Sequence, residues 1–355
     1  MTVHDPILAA ARRARAAIPD DSAMLRAAAE LTRDYALANP RIYWPDMLAS
    51  ALIGWGAMVG AILVQNVAVA VACALIAMMA LYRAASFIHE LTHIRKGALP
   101  GFRLGWNLIV GIPLMIPSFM YEGVHTQHHA RTRYGTADDP EYLPLALMKP
   151  WSLPLFILVA SLAPVGLILR FGVLTPLSLL IPPLRRKVVA ELSALSINPA
   201  YRRRAPEGDF ARMWIWQEAG ACLFALALVG SVFAFGWKPL LVYMAIHSAM
   251  TVVNQLRTLV AHLWENEGEA MTVTAQYLDS VNVPPPGYLP ALWAPVGLRY
   301  HALHHLLPSV PYHALGKAHA RLIATLAQES PYHRGNYKGM VPLVGKIARS
   351  TMTAR

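Results

Sequence analysis

The chain has 355 residues, of which 56% are hydrophobic and only 14% are charged, and its formal net charge is +11. This composition is typical of a protein that crosses a membrane several times and excludes an ordinary soluble enzyme. The basic residues are spread between apolar stretches, so they indicate membrane topology rather than nucleic-acid binding. Cys73 and Cys222 both lie within apolar stretches, which argues against a disulfide framework and against a cysteine metal site.

The N-terminal part of the chain is polar. Its first 45 residues are rich in charge and lack a long apolar run, so a cleavable signal peptide is not expected. We predict a cytoplasmic helical segment over residues 1–45, with surface helices at 7–17 and 24–37. Residues 46–325 are predicted to form a membrane domain, and residues 326–355 a cytoplasmic tail.

Four apolar runs are predicted to cross the bilayer, whose hydrocarbon core is about 30 Å thick. They cover residues 47–64, 67–80, 214–235 and 240–260. Only Gln65 and Asn66 separate the first two, and a short turn separates the last two, so the four spans are predicted to form two hairpins. Two further runs, residues 104–120 and 153–184, contain several prolines and are predicted to be interfacial or re-entrant.

The distribution of basic residues predicts the orientation of these spans. Of the 31 Lys and Arg residues, 28 fall in residues 1–47, 86–212 and 259–355, which four spans would place on one side. Because cytoplasmic segments are enriched in basic residues, both termini are expected in the cytoplasm. The sequence therefore predicts an all-α integral membrane protein, in the inner or plasma membrane if the cell is bacterial, with a cytoplasmic helical cap.

Eight of the 14 histidines form three clusters at or beyond the span ends, on the side assigned to the cytoplasm. The first cluster reads HELTH, and the other two share the pattern HxxHH. Histidines at i, i+3 and i+4 project from one face of a helix, and imidazole is a good ligand for iron, zinc or copper. Eight such rings could hold two metal ions with about four ligands each. The clustered residues are His89, His93, His125, His128, His129, His301, His304 and His305.

Two other interpretations account for fewer of these residues. Taken alone, HELTH matches the zinc-protease motif HExxH, with His89 and His93 as ligands and Glu90 as general base. That interpretation leaves six clustered histidines unexplained, and no convincing acidic third ligand lies on another span. A haem-binding membrane cytochrome would place paired histidines deep within facing spans, whereas these clusters lie at span ends or beyond.

The sequence around the third cluster is the most specific. HALHH is followed by LLPSVPY at residues 306–312, and the second cluster is followed by GTADDPE at residues 135–141. Both segments resemble the histidine boxes of membrane-bound fatty acid desaturases, and the third resembles that family's final box most closely. The three clusters also have the family's order and approximate spacing. The resemblance covers residues 45 to 325.

This resemblance implies a histidine-ligated centre of two non-haem iron ions, with molecular oxygen as co-substrate. Its ligands would be the eight clustered histidines and His262, because related enzymes carry an extra histidine between the second and third boxes. No catalytic residue beyond these ligands is expected. Electrons would come from a separate donor of the ferredoxin, rubredoxin or cytochrome b5 type, since the chain has no haem, iron–sulfur or dinucleotide motif.

Three further residues are candidates for supporting the ligands. Asn254 shares one face of the last span with His262, since the two are eight positions apart. Glu90 could accept a hydrogen bond from a ligand imidazole and set its tautomer. Asp138, like its acidic neighbours at positions 139 and 141, could do the same or contact the electron donor.

The predicted activity is the oxygen-dependent desaturation of a lipid-linked fatty acyl chain. The histidine boxes do not separate removal of a second hydrogen from addition of a hydroxyl group. A hydroxylase or ketolase acting on a lipid, an alkane or a carotenoid is therefore the alternative. In either case we expect a membrane lipid or fatty acyl substrate and no nucleic-acid partner.

Overall fold

The computed structural model describes residues 17–95, 97–145 and 148–353 of the chain. The surface helix predicted over residues 7–17 lies outside these residues, apart from its last position. Within them, regular secondary structure is entirely helical, and the β-type pairing consists of isolated bridges such as that between His262 and Ser280. The predicted all-α fold is thereby confirmed.

The described α-helices are numbered in chain order. They are α1 (Ser22–Leu31), α2 (Pro40–Leu63), α3 (Val67–His93), α4 (Phe102–Trp106), α5 (His125–His128), α6 (Ser152–Ser161), α7 (Ala163–Ile168), α8 (Thr175–Leu180), α9 (Pro182–Glu191), α10 (Gly208–Phe235), α11 (Lys238–Leu259), α12 (Val273–Asp279), α13 (Pro290–Trp293), α14 (His301–Leu306), α15 (Tyr312–Thr325) and α16 (Met340–Thr353). Short 3-10 helices cover Arg33–Tyr35, Ser118–Met120 and Pro331–Gly335, and π-helical turns cover Asn107–Gly111 and Leu169–Leu174.

Four described helical stretches are long and apolar enough to cross a membrane: α2, α3, α10 and Ala163–Leu180. The first three correspond to predicted spans. The fourth predicted span is α11, a helix of 22 residues that does not reach the hydropathy of those four. Ala163–Leu180 falls instead within a run that was predicted to be interfacial. Its prolines Pro164 and Pro176 stand in the first turns of α7 and α8, where a proline does not interrupt a helix.

Helices α2 and α3 are joined by residues 64–66 and pack closely along each other. Both begin at an asparagine, Asn39 and Asn66, whose side-chain oxygen accepts a backbone N–H at 2.9 and 3.1 Å. Such caps satisfy donors that the first helical turn leaves free. Gly54 on α2 faces Leu81 on α3, and a Cβ atom at position 54 would lie 2.6 Å from the Leu81 side chain. The missing side chain therefore sets how closely the two helices approach.

Polar side chains tie the histidine-bearing end of α3 to α2 and α15. Arg83 on α3 forms an ion pair with Asp46 on α2, and the Tyr312 hydroxyl donates to the same carboxylate at 2.7 Å. Further along α3, Glu90 accepts hydrogen bonds from the Tyr43 hydroxyl and from the backbone N–H of Tyr312, the latter at 3.1 Å. Tyr312 begins α15, so these contacts fix the segment after the third cluster against the helix that carries the first.

The described C-terminal residues pack against the rest of the fold. Tyr332, Leu343 and Ile347 are all buried in hydrophobic clusters formed with earlier parts of the chain. The Tyr277 hydroxyl donates to the backbone carbonyl of Tyr332 at 2.6 Å. The segment predicted as a tail is therefore packed onto the preceding residues rather than extending away from them.

A buried ion-pair network holds Ala163–Leu180 against α10. The Arg170 guanidinium, on the π-helical turn, donates to the Glu218 carboxylate of α10 at 2.7 Å. Arg185 of α9 pairs with the same carboxylate at 2.6 Å, and Trp214 donates to it at 3.0 Å. The side chains of Arg170 and Glu218 are only 4% and 6% exposed. Each charge therefore depends on the other for compensation in apolar surroundings.

Replacing Glu218 with glutamine should lower the free energy of unfolding by about 3–5 kcal/mol, because it leaves the buried Arg170 charge without its partner. Urea unfolding of the protein in lipid nanodiscs measures the change. The matched control is Asp209→Asn on the same helix, whose partner Arg212 is exposed, and it should have little effect. Equal unfolding midpoints for Glu218→Gln and the unsubstituted protein would contradict the prediction.

Candidate metal centre

The nine predicted ligands come from four places in the fold. The first cluster lies in the last turn of α3, the second in and just after α5, and the third in α14. His262 follows the end of α11 and is held by its bridge to Ser280. The structure brings all nine together in two groups, within each of which one nitrogen of every ring lies within 4.8 Å of the others. The first group contains His89, His93, His125, His129 and His304, and the second contains His128, His262, His301 and His305.

Helix geometry explains this division. Residues i and i+4 of an α-helix are rotated by about 40° from each other, while residue i+3 is rotated about 60° the other way. In each HxxHH cluster the i and i+4 histidines belong to one group and the i+3 histidine to the other. The pair from the second cluster joins both HELTH histidines in the first group, and the pair from the third cluster joins the second group. Without His262 the second group would contain only three rings.

The ring nitrogens are spaced as ligands of a common ion would be. In the first group, Nε2 of His125 and Nε2 of His129 are 3.0 Å apart, and Nε2 of His304 lies 3.1 Å from that of His93. In the second group, Nε2 of His301 lies 3.0 Å from that of His262 and 3.2 Å from that of His305. Two nitrogens bound at right angles to one ion at about 2.1 Å would be about 3.0 Å apart. The residues present therefore fit a metal ion in each group.

The electrostatics of the site also suit metal binding. Burial lowers the pKa of His129, His304 and His305, and the neighbouring rings lower it further. These imidazoles are therefore neutral, which is the form that binds metal. Both ring nitrogens of His89 are buried and have no hydrogen-bond partner among the described residues. A bound ion would supply one, and so remove the cost of an unsatisfied buried polar atom.

Carboxylates behind the rings orient two of the ligands. The Nδ1 atom of His128 lies 2.9 Å from the Asp139 carboxylate, and that of His125 lies 2.8 Å from Glu141. Burial acts to lower the pKa of His128, but Asp139 outweighs it and the pKa is raised. The Tyr121 hydroxyl donates to the other Glu141 oxygen at 2.8 Å. When Nδ1–H donates to a carboxylate, the tautomer is fixed and Nε2 is left to face the metal.

His262 is oriented by residues that the sequence analysis did not identify. Its Nδ1 atom lies 2.8 Å from the Tyr134 hydroxyl, which in turn donates to Asp279 at 2.8 Å. The Ser280 hydroxyl lies 3.2 Å from the same nitrogen. Tyr134 is 128 positions from His262 in the chain, so no local pattern could have revealed the contact. Asp279 and Ser280 lie in a polar stretch that carries no motif of its own.

The structure does not place Asp138 against a ligand ring, and its predicted contact with the electron donor stays a prediction. Its side chain is exposed, whereas that of the adjacent Asp139 is buried. The Asp139 carboxylate accepts backbone N–H groups from Gly135 and Glu141, each at 2.8 Å. These bonds close the turn after the second cluster, and they direct Asp139 inward and its neighbour outward.

The roles predicted for Glu90 and Asn254 also differ from their contacts. Glu90 Oε1 lies 3.7 Å from Nδ1 of His89, beyond hydrogen-bond distance. Its carboxylate instead accepts the tyrosine hydroxyl and backbone N–H that join α3 to α2 and α15. Asn254 accepts a hydrogen bond from Arg257 at 3.0 Å, and none of its hydrogen bonds reaches a ligand ring. Glu90 therefore holds α3 against α2 and α15, and Asn254 positions Arg257.

The fold and site define a class of protein: an all-helical membrane protein that brings nine histidines together in two candidate metal sites. Residues 65–336 match the fatty acid desaturase family, and the chain belongs to that family. It is also 49% identical over 332 residues to a ceramide hydroxylase of Caulobacter vibrioides (strain NA1000 / CB15N), a match that covers 93% of this chain and 94% of that protein. No solved structure matches the chain. The family resemblance inferred from the histidine boxes is confirmed.

Replacing His262 with alanine should reduce the metal content of the purified protein to about half, because the second group would keep three rings and bind its ion far more weakly. Elemental analysis by mass spectrometry measures the iron bound per chain. His247→Ala is the control, since His247 is a buried histidine of α11 outside both groups, and it should keep the full content. Full occupancy in His262→Ala would argue against its role as a ligand.

Replacing Asp139 with asparagine should weaken metal binding by about 10- to 100-fold, because His128 would lose the carboxylate that orients it. Titration of the metal-free protein with ferrous iron gives the affinity. Asp138→Asn removes a neighbouring acid that contacts neither group and should leave the affinity unchanged. If both substitutions had the same effect, the contact between Asp139 and His128 would be irrelevant to binding.

Proposed function

We propose that this protein is an oxygen-dependent lipid hydroxylase that adds a hydroxyl group to an unactivated C–H bond of a ceramide. The observation that carries the proposal is the convergence of nine histidines, seven buried and two half-buried, into groups of five and four. The substrate class rests on the 49% identical relative, which is named a ceramide hydroxylase. Desaturation, the activity predicted from sequence, would use the same centre. It differs in that the substrate loses a second hydrogen instead of gaining a hydroxyl group.

Two non-haem iron ions are the proposed occupants of the two groups. When bound, they supply the reduction of molecular oxygen with two electrons and two protons, so that one oxygen atom enters the substrate and the other leaves as water. All-imidazole ligation suits ferrous iron and leaves positions free for oxygen. Neither Cys73 nor Cys222 belongs to either group, which keeps oxidisable thiols out of the ligand set.

Hydrogen-bonding residues of the chain fix the orientation of the histidine rings at the centre. Asp139, Glu141 and Tyr134 accept hydrogen bonds from Nδ1 of a ligand ring, so each ring presents Nε2 to its ion. The burial of most of the rings would keep water away from the bound metal and so limit side reactions there. We propose that the electrons come from a separate protein of the ferredoxin, rubredoxin or cytochrome b5 type.

We propose a topology of two hairpins, α2 with α3 and α10 with α11, within a membrane domain of residues 46–325. α11 has the length of a span, packs against α3, and ends three residues before His262. This arrangement puts 28 of the 31 basic residues on the side of the histidines. By the positive-inside rule, that side and both termini are cytoplasmic.

Expression in a host that makes ceramide but lacks its hydroxylase tests the activity. We expect ceramide to gain the mass of one oxygen atom, and the added oxygen to be labelled when cells grow under isotopically heavy molecular oxygen. His304→Ala, which removes a ring from the first group, should abolish the product, whereas His247→Ala should not. A loss of two hydrogens would establish desaturation instead. Unchanged ceramide in cells that contain the iron-loaded protein would overturn the proposal.

A further inference from the structure

Arg257 is a cation close to the histidine centre, in the last turn of α11. The binding of metal by the histidines does not explain why a cation stands there. Its charge acts on His89 in the first group and on His262 and His301 in the second. Burial is the main cause that lowers the pKa of His262 and of His301. The charge of a neighbouring histidine lowers each pKa further, and the charge of Arg257 adds a smaller effect in the same direction. Arg257 lies five residues before His262, near enough to both groups for its charge to act on their rings, although a cation there would be repelled by metal ions.

The hydrogen-bond donors of Arg257 are only partly used. Its Nη2 donates to Asn254 Oδ1 at 3.0 Å, and its guanidinium lies beside the Tyr82 hydroxyl. Its Nε is buried and has no acceptor in the part of the chain that the structure describes. Its charge also acts on Glu141, but each oxygen of that carboxylate is already bonded, one to a ring nitrogen and one to a tyrosine hydroxyl. A buried N–H group without an acceptor among the described residues requires one elsewhere, from a ligand or a water molecule.

The helix that carries Arg257 also packs against α13, next to a segment with exposed apolar side chains. The Tyr82 hydroxyl donates to the backbone carbonyl of Trp293 at 2.8 Å. The loop that leads to Trp293 carries large apolar side chains on its surface, with Tyr288 90% and Leu292 58% exposed. Exposed apolar residues on a loop attached to a membrane helix are typical of contact with lipid tails. A lipid lying along this loop would bring its polar head next to the guanidinium.

We propose that Arg257 donates a hydrogen bond to a neutral acceptor oxygen in the polar head of the substrate lipid, its amide carbonyl or an adjacent hydroxyl. This inference rests on the proposed hydroxylation of ceramide and names the residue that positions the substrate. The buried Nε carries one N–H group, which suits a single acceptor oxygen. Because Arg257 lies in the last turn of α11, five residues before His262, the head it binds would determine which carbon atom lies at the centre.

The test measures substrate binding separately from turnover. Iron-loaded protein in nanodiscs is titrated with radiolabelled ceramide, with a sphingoid base that lacks the amide carbonyl, and with a ceramide that lacks the terminal hydroxyl. Arg257→Gln should bind ceramide about 10- to 100-fold more weakly, the effect of losing a charge-assisted hydrogen bond. Iron content should stay unchanged, and the hydroxylated products should become a mixture of positions. Arg212→Ala, which removes an exposed arginine of α10, is the control and should match the unsubstituted protein.

The two analogues identify the acceptor oxygen. The analogue that lacks it should bind the unsubstituted protein more weakly than ceramide does, and Arg257→Gln should then weaken its binding no further. Arg257→Lys keeps the charge but not the Nε donor, and it should show the same selective loss. Full ceramide affinity in Arg257→Lys, or in Arg257→Gln, would overturn the proposal. So would an equal loss for ceramide and both analogues, which would assign Arg257 a structural role. Failure of the proposed function would appear separately, as ceramide that binds the unsubstituted protein and is never converted.

Discussion

Nine imidazole rings in one place, seven of them buried and with no carboxylate among them, are the constraint on which the rest of this structure depends. Two charged rings about 4 Å apart would repel each other by about 4 kcal/mol at the effective dielectric of a protein surface. Metal binding therefore requires neutral rings, and each must present the correct nitrogen. Hydrogen-bond partners behind them, such as Asp139 and Tyr134, meet the second requirement. The contacts of Glu90 with α2 and α15 keep the ligand helix of the first cluster in place.

The histidines that the structure brings together could be named from the sequence because the relevant geometry is local. Histidines spaced by three and four positions share a helix face wherever that helix lies, and the split of each HxxHH cluster between two groups follows from the same rotation. The ninth predicted ligand, His262, came from the family resemblance. Its place in the second group is a property of the assembled fold, since it lies after α11 and pairs with Ser280 across a bridge.

The surroundings of the ligands could not be predicted in the same way. Asp138 and Asp139 are adjacent and chemically identical, and only the closed turn decides which one points inward. Glu90 belongs to a motif that suggests a role at the metal. Its carboxylate instead accepts hydrogen bonds from the Tyr43 hydroxyl and from a backbone N–H far along the chain. The continuous helical length of Ala163–Leu180 could not be predicted for a related reason. Whether a proline breaks a helix or begins one depends on where the helix starts, and composition does not show that.

The pairing of Arg170 with Glu218 has a consequence for how the protein is made. An arginine within an apolar segment is costly to bury while it has no partner. The carboxylate that compensates Arg170 lies 48 residues further along the chain, on α10. During synthesis, the ribosome must therefore deliver α10 before Ala163–Leu180 can take its final place. The order of these events is thus set by one ion pair that includes none of the nine histidines.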